Sequence, residues 1–296
     1  MQIITDSCCF LRGFFDHSGF LILNSIIMPI FRAKDTNKDQ TYFLWQIRRE
    51  QLSHILFPVG EFETKAEVRE FAEFQNLITY SKPDSQGLCF VGQTSLREML
   101  LQTLGAKIGQ IVTIMTADEL QLIGLNSSKT KTLDKKIVGI SDQKQTFVLG
   151  QHEGAFLFTI GQRQNLGLSN GPWFVSAIDV KANIVTVCHQ NLAEEMDSSE
   201  IMVKNCNWHL DLDNTDSHWL QDNILSCQCQ VRYRSKAVNC QVVFQCSGGK
   251  MNFDSAKVTF ETPVRAIAVG QSAVFYSSEG QLLGGGFIDE ANLNAI

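Results

Sequence analysis

The sequence predicts an α+β protein of several domains, in which two early helices precede a β-rich middle and a small C-terminal antiparallel β-barrel. Two capping boxes in the first third, Thr64–Glu67 and Ser95–Glu98, are typical of helix starts. Between Gly105 and about His189 the apolar runs become short and strand-like. The last third alternates apolar and polar residues around glycine turns, which is the pattern of a small antiparallel barrel.

Composition sets the size of the protein and limits its partners. The chain has 296 residues, of which 44% are hydrophobic and 19% charged, and this is enough for two or three domains with their own cores. A net charge of −6 excludes a global basic field, so a nucleic acid would have to bind a local patch. The odd number of cysteines, irregularly spaced and without a convincing secretory leader, favours a reducing, cytoplasmic compartment. The apolar stretch Phe20–Phe31 is too short to span a bilayer, so no membrane partner is expected.

The helices are predicted in the first third. Helical spacing before Pro58 predicts a short helix with an apolar face, made by Leu52, Ile55 and Leu56. The box at Thr64 opens a second helix, and the box at Ser95 opens a third. The apolar positions of these two helices are expected to face inward: Val68, Phe71 and Ala72 in one, and Leu96, Met99, Leu100 and Leu104 in the other.

Short strands are predicted in the middle of the chain, at residues 110–114, 171–175 and 183–187. His152 lies between two glycines in a predicted turn, where a structural role is the simpler interpretation. Residues 194–222 are mostly acidic and predict a connector to the C-terminal domain.

Two alternating strands carry four cysteines, Cys227, Cys229, Cys240 and Cys246. Because a period of two already places all four on apolar strand faces, packing is the favoured interpretation. A zinc site is the alternative, although structural zinc usually requires a C-x-x-C knuckle on a turn. Further strands are predicted at residues 257–260, 273–276 and 282–288, and Gly284–Gly286 predicts a bulge or close packing.

A basic stretch stands out against the acidic chain. No acidic residue lies between Asp222 and Asp254, whereas this interval contains Arg232, Arg234, Lys236 and Lys250. Strand alternation predicts that Arg232 and Arg234 share a solvent face with Gln228 and Gln230. Such a ridge is suited to phosphate contacts, which position a nucleic acid without reading its sequence. A merely solvated strand face is the alternative.

One thiol lies on a loop that a substrate could reach. The stretch Lys82–Phe90 is a loop by composition, with Pro83 and Gly87 at its turns and Cys89 at its end. A cysteine in this position is a candidate nucleophile, and a small buried hydrophobe is the alternative.

Several of these segments together resemble the boxes of a known family. Lys38–Leu44 resembles KDQSYFL, and Pro83–Gly92 resembles PDSQGICFIG, both of the tRNA-specific 2-thiouridylases. The resemblance extends from about Ala33 to Ile288. Further matches follow in the same order: Thr159–Arg163, Val231–Arg234, Gly270–Tyr276 and Leu283–Gly286.

The resemblance implies an enzyme that thiolates the wobble uridine of tRNA. In that family ATP adenylylates the C2 oxygen of uridine, a cysteine persulfide delivers sulfur to C2, and AMP leaves. Cys89 stands at the persulfide position, so a persulfide sulfur donor protein is an implied partner, with disulfide steps involving a second cysteine. The tRNA-contacting positions correspond to Lys38, Asp39, Gln40, Arg232, Tyr233 and Gln271.

The family architecture implies the division of this chain. Residues 33–90 would be the C-terminal remnant of an α/β nucleotide domain, 91–193 the central β domain and 200–296 the C-terminal β-barrel, with 1–32 unmatched. ATP is the implied cofactor, but the family's SGGxDS phosphate loop does not occur in this sequence. A tRNA-binding module without catalysis and a thiol-redox protein built on Cys89 are the alternatives.

Overall fold

Residues 29–83, 95–125, 144–212, 219–247 and 250–293 are described in a computed structural model. They form two compact units. One contains residues 29–83, 199–262 and 269–291 in its described part, and the other contains the described residues of 84–198 together with 263–268 and 292–293. The predicted composition of helices, a central β domain and a C-terminal barrel is confirmed.

Both capping boxes open helices where predicted. Helix α1 spans Lys65–Phe74, and the Thr64 side chain accepts a hydrogen bond from the backbone of Glu67. Helix α2 spans Leu96–Leu104, with the reciprocal capping box at Ser95. The prediction of inward apolar faces was wrong, since neither helix has a fully buried residue, although the Phe71 ring of α1 lies 5.6 Å from that of Phe62. The helix predicted at Leu52 is instead a 3₁₀ turn, Arg49–His54, which ends where Ile55 becomes extended.

A four-stranded sheet forms the core of the second unit. The unit contains β1 (Gly109–Met115), the short helix α3 (Ala117–Leu122), β2 (Gln145–His152), β3 (Trp173–Asp179) and β4 (Ile184–His189), and the strand order is β2-β1-β4-β3. The β1–β4 pair is parallel, and the other pairs are antiparallel. Strands β1, β3 and β4 confirm the three short strands predicted at residues 110–114, 171–175 and 183–187. His152 ends β2 rather than lying in a turn, and its Nδ1 accepts a hydrogen bond from the backbone of Gly154, consistent with a structural role.

The C-terminal strands close into a six-stranded antiparallel barrel. These are β5 (Asp197–Trp208), β7 (Ile224–Gln230), β8 (Val238–Ser247), β9 (Lys250–Arg265), β10 (Ser272–Tyr276) and β11 (Leu282–Leu293), with the short β6 (Leu220–Gln221) beside β7. Pairing of β10 with β7 closes the ring, which removes open sheet edges.

The prediction of an acidic connector at residues 194–222 was partly wrong, because β5 begins inside this segment. Ile201 and Val203 of β5 are 1% exposed, whereas Glu200 on the opposite face pairs with Lys257 at 2.8 Å. Strand β5 therefore alternates buried and exposed residues in the usual way. The acidic residues on its exposed face mask this alternation when the segment is judged by its composition alone.

Residues 29–62 pack against the barrel within the first unit. The backbone of Arg32 donates to Gly280 at 2.9 Å, and that of Leu282 donates to Ile30 at 2.7 Å. Trp45 is 3% exposed, and its ring lies 5.2 Å from that of Phe287. The buried cluster that joins the two segments contains Ile30, Tyr42, Trp45, Leu52, Val274, Tyr276 and Leu282.

Three glycines of β11 allow close approach, as the sequence predicts. A Cβ on Gly285 would lie 2.7 Å from the Trp45 ring, and one on Gly286 would lie 2.7 Å from Cys206 Sγ. The register also shifts between Phe275 and Tyr276 opposite this stretch, which marks an irregularity of the β-bulge type.

Candidate nucleic-acid interface

The Lys38–Gln40 segment forms a tight loop organised by Asp39. One carboxylate oxygen accepts from the backbone N–H of Thr41 at 3.1 Å and from its hydroxyl at 2.8 Å. The Asp39 side chain is 9% exposed, so its carboxylate oxygens bond mainly to other groups of the protein and little to solvent. Its neighbours Lys38 and Gln40 are half-buried on either side.

Arg32 connects this loop to the barrel, and sequence reasoning missed it. Its guanidinium contacts the Asp39 carboxylate at 3.2 Å and donates to Gln230 Oε1 at 3.0 Å. It also lies over the Tyr276 ring, 3.6 Å from the centroid, at the distance of a cation–π contact. The only signal in the sequence was an arginine six residues before a candidate loop, which has no specific meaning alone.

The hydrogen bonds continue from Gln230 to the remaining candidates. Gln230 Nε2 donates to the backbone carbonyl of Arg232 at 3.2 Å, and Arg232 Nε donates to Gln271 Oε1 at 3.4 Å. A chain of side-chain contacts thus runs from Asp39 through Arg32 and Gln230 to Arg232 and Gln271. The two distant sequence segments are therefore joined by side-chain contacts within the first unit.

The predicted geometry of the basic ridge was wrong. Strand β7 ends at Gln230, which is only 4% exposed, and the next residues turn. Ser235 bonds the Arg232 carbonyl through its backbone at 3.0 Å and its hydroxyl at 2.7 Å. Arg234 has φ +65°, so Arg232 and Arg234 do not share a strand face. Simple alternation failed because the strand ends before both arginines, which lie in the turn that follows it.

Aromatic rings border the arginines. The Tyr233 ring lies 4.7 Å from that of Phe43 and 6.1 Å from that of Tyr42. The Tyr42 hydroxyl donates to the Ser272 carbonyl at 2.8 Å. Burial raises the pKa of Tyr42 to about 12, which keeps this phenol neutral and donating at physiological pH.

Cys89, the candidate nucleophile, lies outside the described residues. Of the described cysteines, Cys227, Cys229 and Cys240 are buried, and Cys246 is exposed, contrary to its predicted inward position. The thiols of Cys227 and Cys240 lie 3.7 Å apart on paired strands, as reduced neighbours. No group of three potential ligands that could hold a metal occurs in the described ranges.

The segment 29–83 lies largely in the nucleotide-domain part of the resemblance but does not have the elements that usually hold ATP. Residues 29–83 contain α1 and 3₁₀ turns but no strand followed by a glycine-rich loop. The first turn of α1 is capped by Thr64 and carries Glu67, which disfavours a phosphate there. These residues therefore do not fit ATP.

No helix in the part of the chain that the structure describes is long and apolar enough to cross a bilayer.

Three family models match consecutive parts of the chain. Residues 24–93 match the tRNA methyl transferase HUP domain, 130–189 the tRNA methyl transferase PRC-barrel domain, and 198–288 the aminomethyltransferase beta-barrel domain. With the closed barrel, these matches define a multidomain protein whose domain models are, in order, those of the tRNA methyl transferase HUP and PRC-barrel domains and the aminomethyltransferase beta-barrel domain.

Individual relatives specify the family. The chain is 36% identical over 263 residues to the tRNA-specific 2-thiouridylase MnmA of Mycoplasma mycoides subsp. mycoides, covering 88% of this chain and 60% of the relative. Identity to the proteins of the same name is 35% over 269 residues in Staphylococcus epidermidis (90% and 61% covered) and 34% over 267 residues in Salmonella arizonae (88% and 60%). The chain therefore belongs to the tRNA-specific 2-thiouridylase family. It spans about 60% of the length of these curated relatives.

Proposed function

We propose that this chain provides the tRNA-holding surface and the persulfide-carrying cysteine for 2-thiolation of the wobble uridine. The observation that carries the proposal is the contact of Arg32 with Gln230, because it joins a HUP-domain segment to the barrel at 3.0 Å. The tRNA-contacting residues are Lys38, Asp39, Gln40, Arg232, Tyr233 and Gln271.

Two kinds of contact are assigned within this surface. Lys38 and Arg232 supply positive charge for backbone phosphates, whereas Gln40 and Gln271 supply amides that both donate and accept hydrogen bonds. Asp39 acts by holding the loop, since its oxygens are engaged by Thr41 and Arg32. The phosphate contacts give affinity that falls as salt rises, although the chain is acidic overall.

The chemistry is assigned to Cys89. The outer sulfur of a persulfide on this residue attacks C2 of the adenylylated uridine, and AMP leaves. A second thiol then attacks Cys89 in the resulting disulfide, which releases the thiolated base and leaves a disulfide between the two cysteines. A thiol reductant opens that disulfide, and a separate sulfur donor protein restores the persulfide. The target base has to leave its stack to reach the cysteine. Activation of the C2 oxygen by ATP is assigned, by resemblance, to the family's phosphate loop and not to the described residues of this chain.

Domain limits and compartment are part of the same proposal. We place the nucleotide-domain remnant at 33–90, the central domain at 91–193 and the barrel at 200–296, with 1–32 outside them. The described cysteines are unpaired, which supports a reducing compartment such as the cytoplasm.

Binding of purified tRNA tests the surface. Arg232→Ala should weaken binding and lower the salt slope by about one, because one phosphate contact is lost. Thermal stability should change little, since the Arg232 side chain bonds Gln271 at the long distance of 3.4 Å. Lys257→Ala is the control, because Lys257 lies on the barrel and pairs with Glu200. Equal affinities of the two variants would remove Arg232 from the interface.

Thiolation tests the cysteine. With tRNA, ATP and a persulfide donor, Cys89→Ser should abolish transfer of sulfur, whereas the exposed Cys246→Ser should retain it. Retained transfer by Cys89→Ser would refute its role. Salt-sensitive tRNA binding without turnover by the unsubstituted chain would support a binding module instead.

A further inference from the structure

Phe43 is an exposed aromatic residue in an otherwise buried turn. Its neighbours Thr41 and Tyr42 are 0% and 8% exposed, whereas Phe43 is 56% exposed. The Tyr233 ring lies 4.7 Å away at an interplanar angle of 50°, so one ring supports the other and leaves part of Phe43 open to solvent.

The position of this ring is fixed by contacts on both sides. Phe43 ends the 3₁₀ turn Thr41–Phe43, in which the Thr41 hydroxyl lies 3.1 Å from the Tyr276 hydroxyl. Tyr42 packs edge-on against Phe43 at 5.3 Å and is itself anchored by its bond to Ser272. The exposed ring is therefore held in place before any ligand arrives, which lowers the entropy cost of binding.

The surroundings of the ring are cationic. The Arg234 guanidinium lies 5.3 Å from the centroid of Tyr233, and Arg232 precedes that ring in the chain. Asp39, on the same loop as Phe43, has its charge engaged by Arg32 at 3.2 Å. An aromatic surface beside arginines matches a nucleotide with an unstacked base, which presents a flat π-face next to a phosphate.

We propose that the exposed side of Phe43, supported by Tyr233, stacks against one unpaired base of the bound RNA while Arg234 contacts an adjacent phosphate. This inference rests on the proposed function and adds to it a binding subsite for a single unstacked nucleotide. Stacking on an aromatic ring tolerates any base, so this subsite contributes affinity and places the strand rather than reading its sequence.

The test uses a tRNA anticodon stem-loop in which 2-aminopurine replaces one loop nucleotide at a time. The fluorescence of 2-aminopurine falls when the base stacks on an aromatic side chain. The proteins are the unsubstituted chain, Phe43→Leu, Phe43→Trp and the control Phe74→Leu. Phe74 lies on α1 of the same unit and is, like Phe43, an exposed phenylalanine (79% exposed).

We expect quenching at one loop position with the unsubstituted chain. Phe43→Leu should lose that quenching and bind roughly tenfold more weakly, because one base–aromatic stack is removed. Phe43→Trp should keep both properties, and Phe74→Leu should behave like the unsubstituted chain. Because Phe43 is exposed, its substitution should leave the thermal midpoint unchanged.

The outcomes separate the two proposals. If the unsubstituted chain binds the stem-loop and Phe43→Leu keeps the same affinity and quenching, the stacking subsite is refuted and the proposed function stands. If the unsubstituted chain binds neither the stem-loop nor tRNA, both are refuted.

Discussion

Loss of the Arg32 guanidinium should weaken the Lys38–Gln40 loop, because Arg32 connects that loop to the barrel. Arg32→Met keeps an unbranched apolar stem but removes the guanidinium and with it the contacts with Asp39 at 3.2 Å, Gln230 at 3.0 Å and the Tyr276 ring at 3.6 Å. A hydrogen bond to a charged group contributes roughly 1.5–3 kcal/mol, and a cation–π contact roughly 0.5–2 kcal/mol. These contributions overlap in one side chain that is 30% exposed. We therefore expect a loss of about 2–3 kcal/mol in the local stability of the loop.

Hydrogen exchange measured by mass spectrometry reports this quantity directly. A loss of about 2–3 kcal/mol raises the opening constant roughly 30- to 150-fold, and exchange should accelerate by that factor in peptides from 38–45. Peptides from the second unit should exchange as before. The control is Lys34→Met, because Lys34 pairs with Glu61 while both side chains are about half exposed (53% and 46%).

A double-mutant cycle isolates the ion pair within this effect. Arg32→Met and Asp39→Asn should together cost less than the sum of the single losses, since each removes the same contact. The reasoning is refuted if Arg32→Met exchanges no faster than Lys34→Met, or if the two substitutions add without coupling.

Further expectations follow from individual contacts. Gly285→Ala should lower the free energy of unfolding by about 1–3 kcal/mol in urea titrations, because its Cβ would lie 2.7 Å from the Trp45 ring; an unchanged midpoint would contradict this close packing. Burial lowers the pKa of His209 below 6.5, so its contribution to stability is complete above pH 6.5 and declines as the pH falls below that value. Urea midpoints at pH 7.5 and 5 should show the decline, and His209→Gln should reduce it. Iodoacetamide at pH 8 should label Cys246 before Cys188, because burial raises the pKa of Cys188 to about 12; peptide masses showing the reverse order would be inconsistent with the fold.

The predictions that succeeded from sequence rest on short-range physics. The capping boxes at Thr64 and Ser95 succeeded because both partners of each bond lie within one turn. The prediction of the barrel strands β7 and β8 succeeded because apolar and polar residues alternate along a half-buried strand, and this alternation is visible between adjacent residues. Strand β5 was missed for a related reason, since an average over acidic residues conceals an alternation that only Ile201 and Val203 reveal.

The predictions that failed depend on the fold. Arg32 and Gln230 are 198 residues apart, and no local pattern marks two side chains that meet only after the barrel closes. The φ of +65° at Arg234 gave no signal either, because arginine has no preference for the left-handed region. The resemblance assigned a role to positions on two distant segments, and that assignment stays a prediction, but it did not reveal Arg32, which holds the segments together.

The packing of residues 29–62 on β11 has a consequence for how the protein forms. Phe31 bridges Gln281, and Leu282 bonds Ile30, so contacts of the segment 29–62 span about 250 positions of the chain. During synthesis this segment would leave the ribosome long before β11 exists, and it would remain undocked until the last strand emerges. Contacts of such high sequence separation form late and slowly. The docking of residues 29–62 on the barrel would therefore be one of the final events of folding, and folding intermediates would carry the Lys38–Gln40 loop without its anchor.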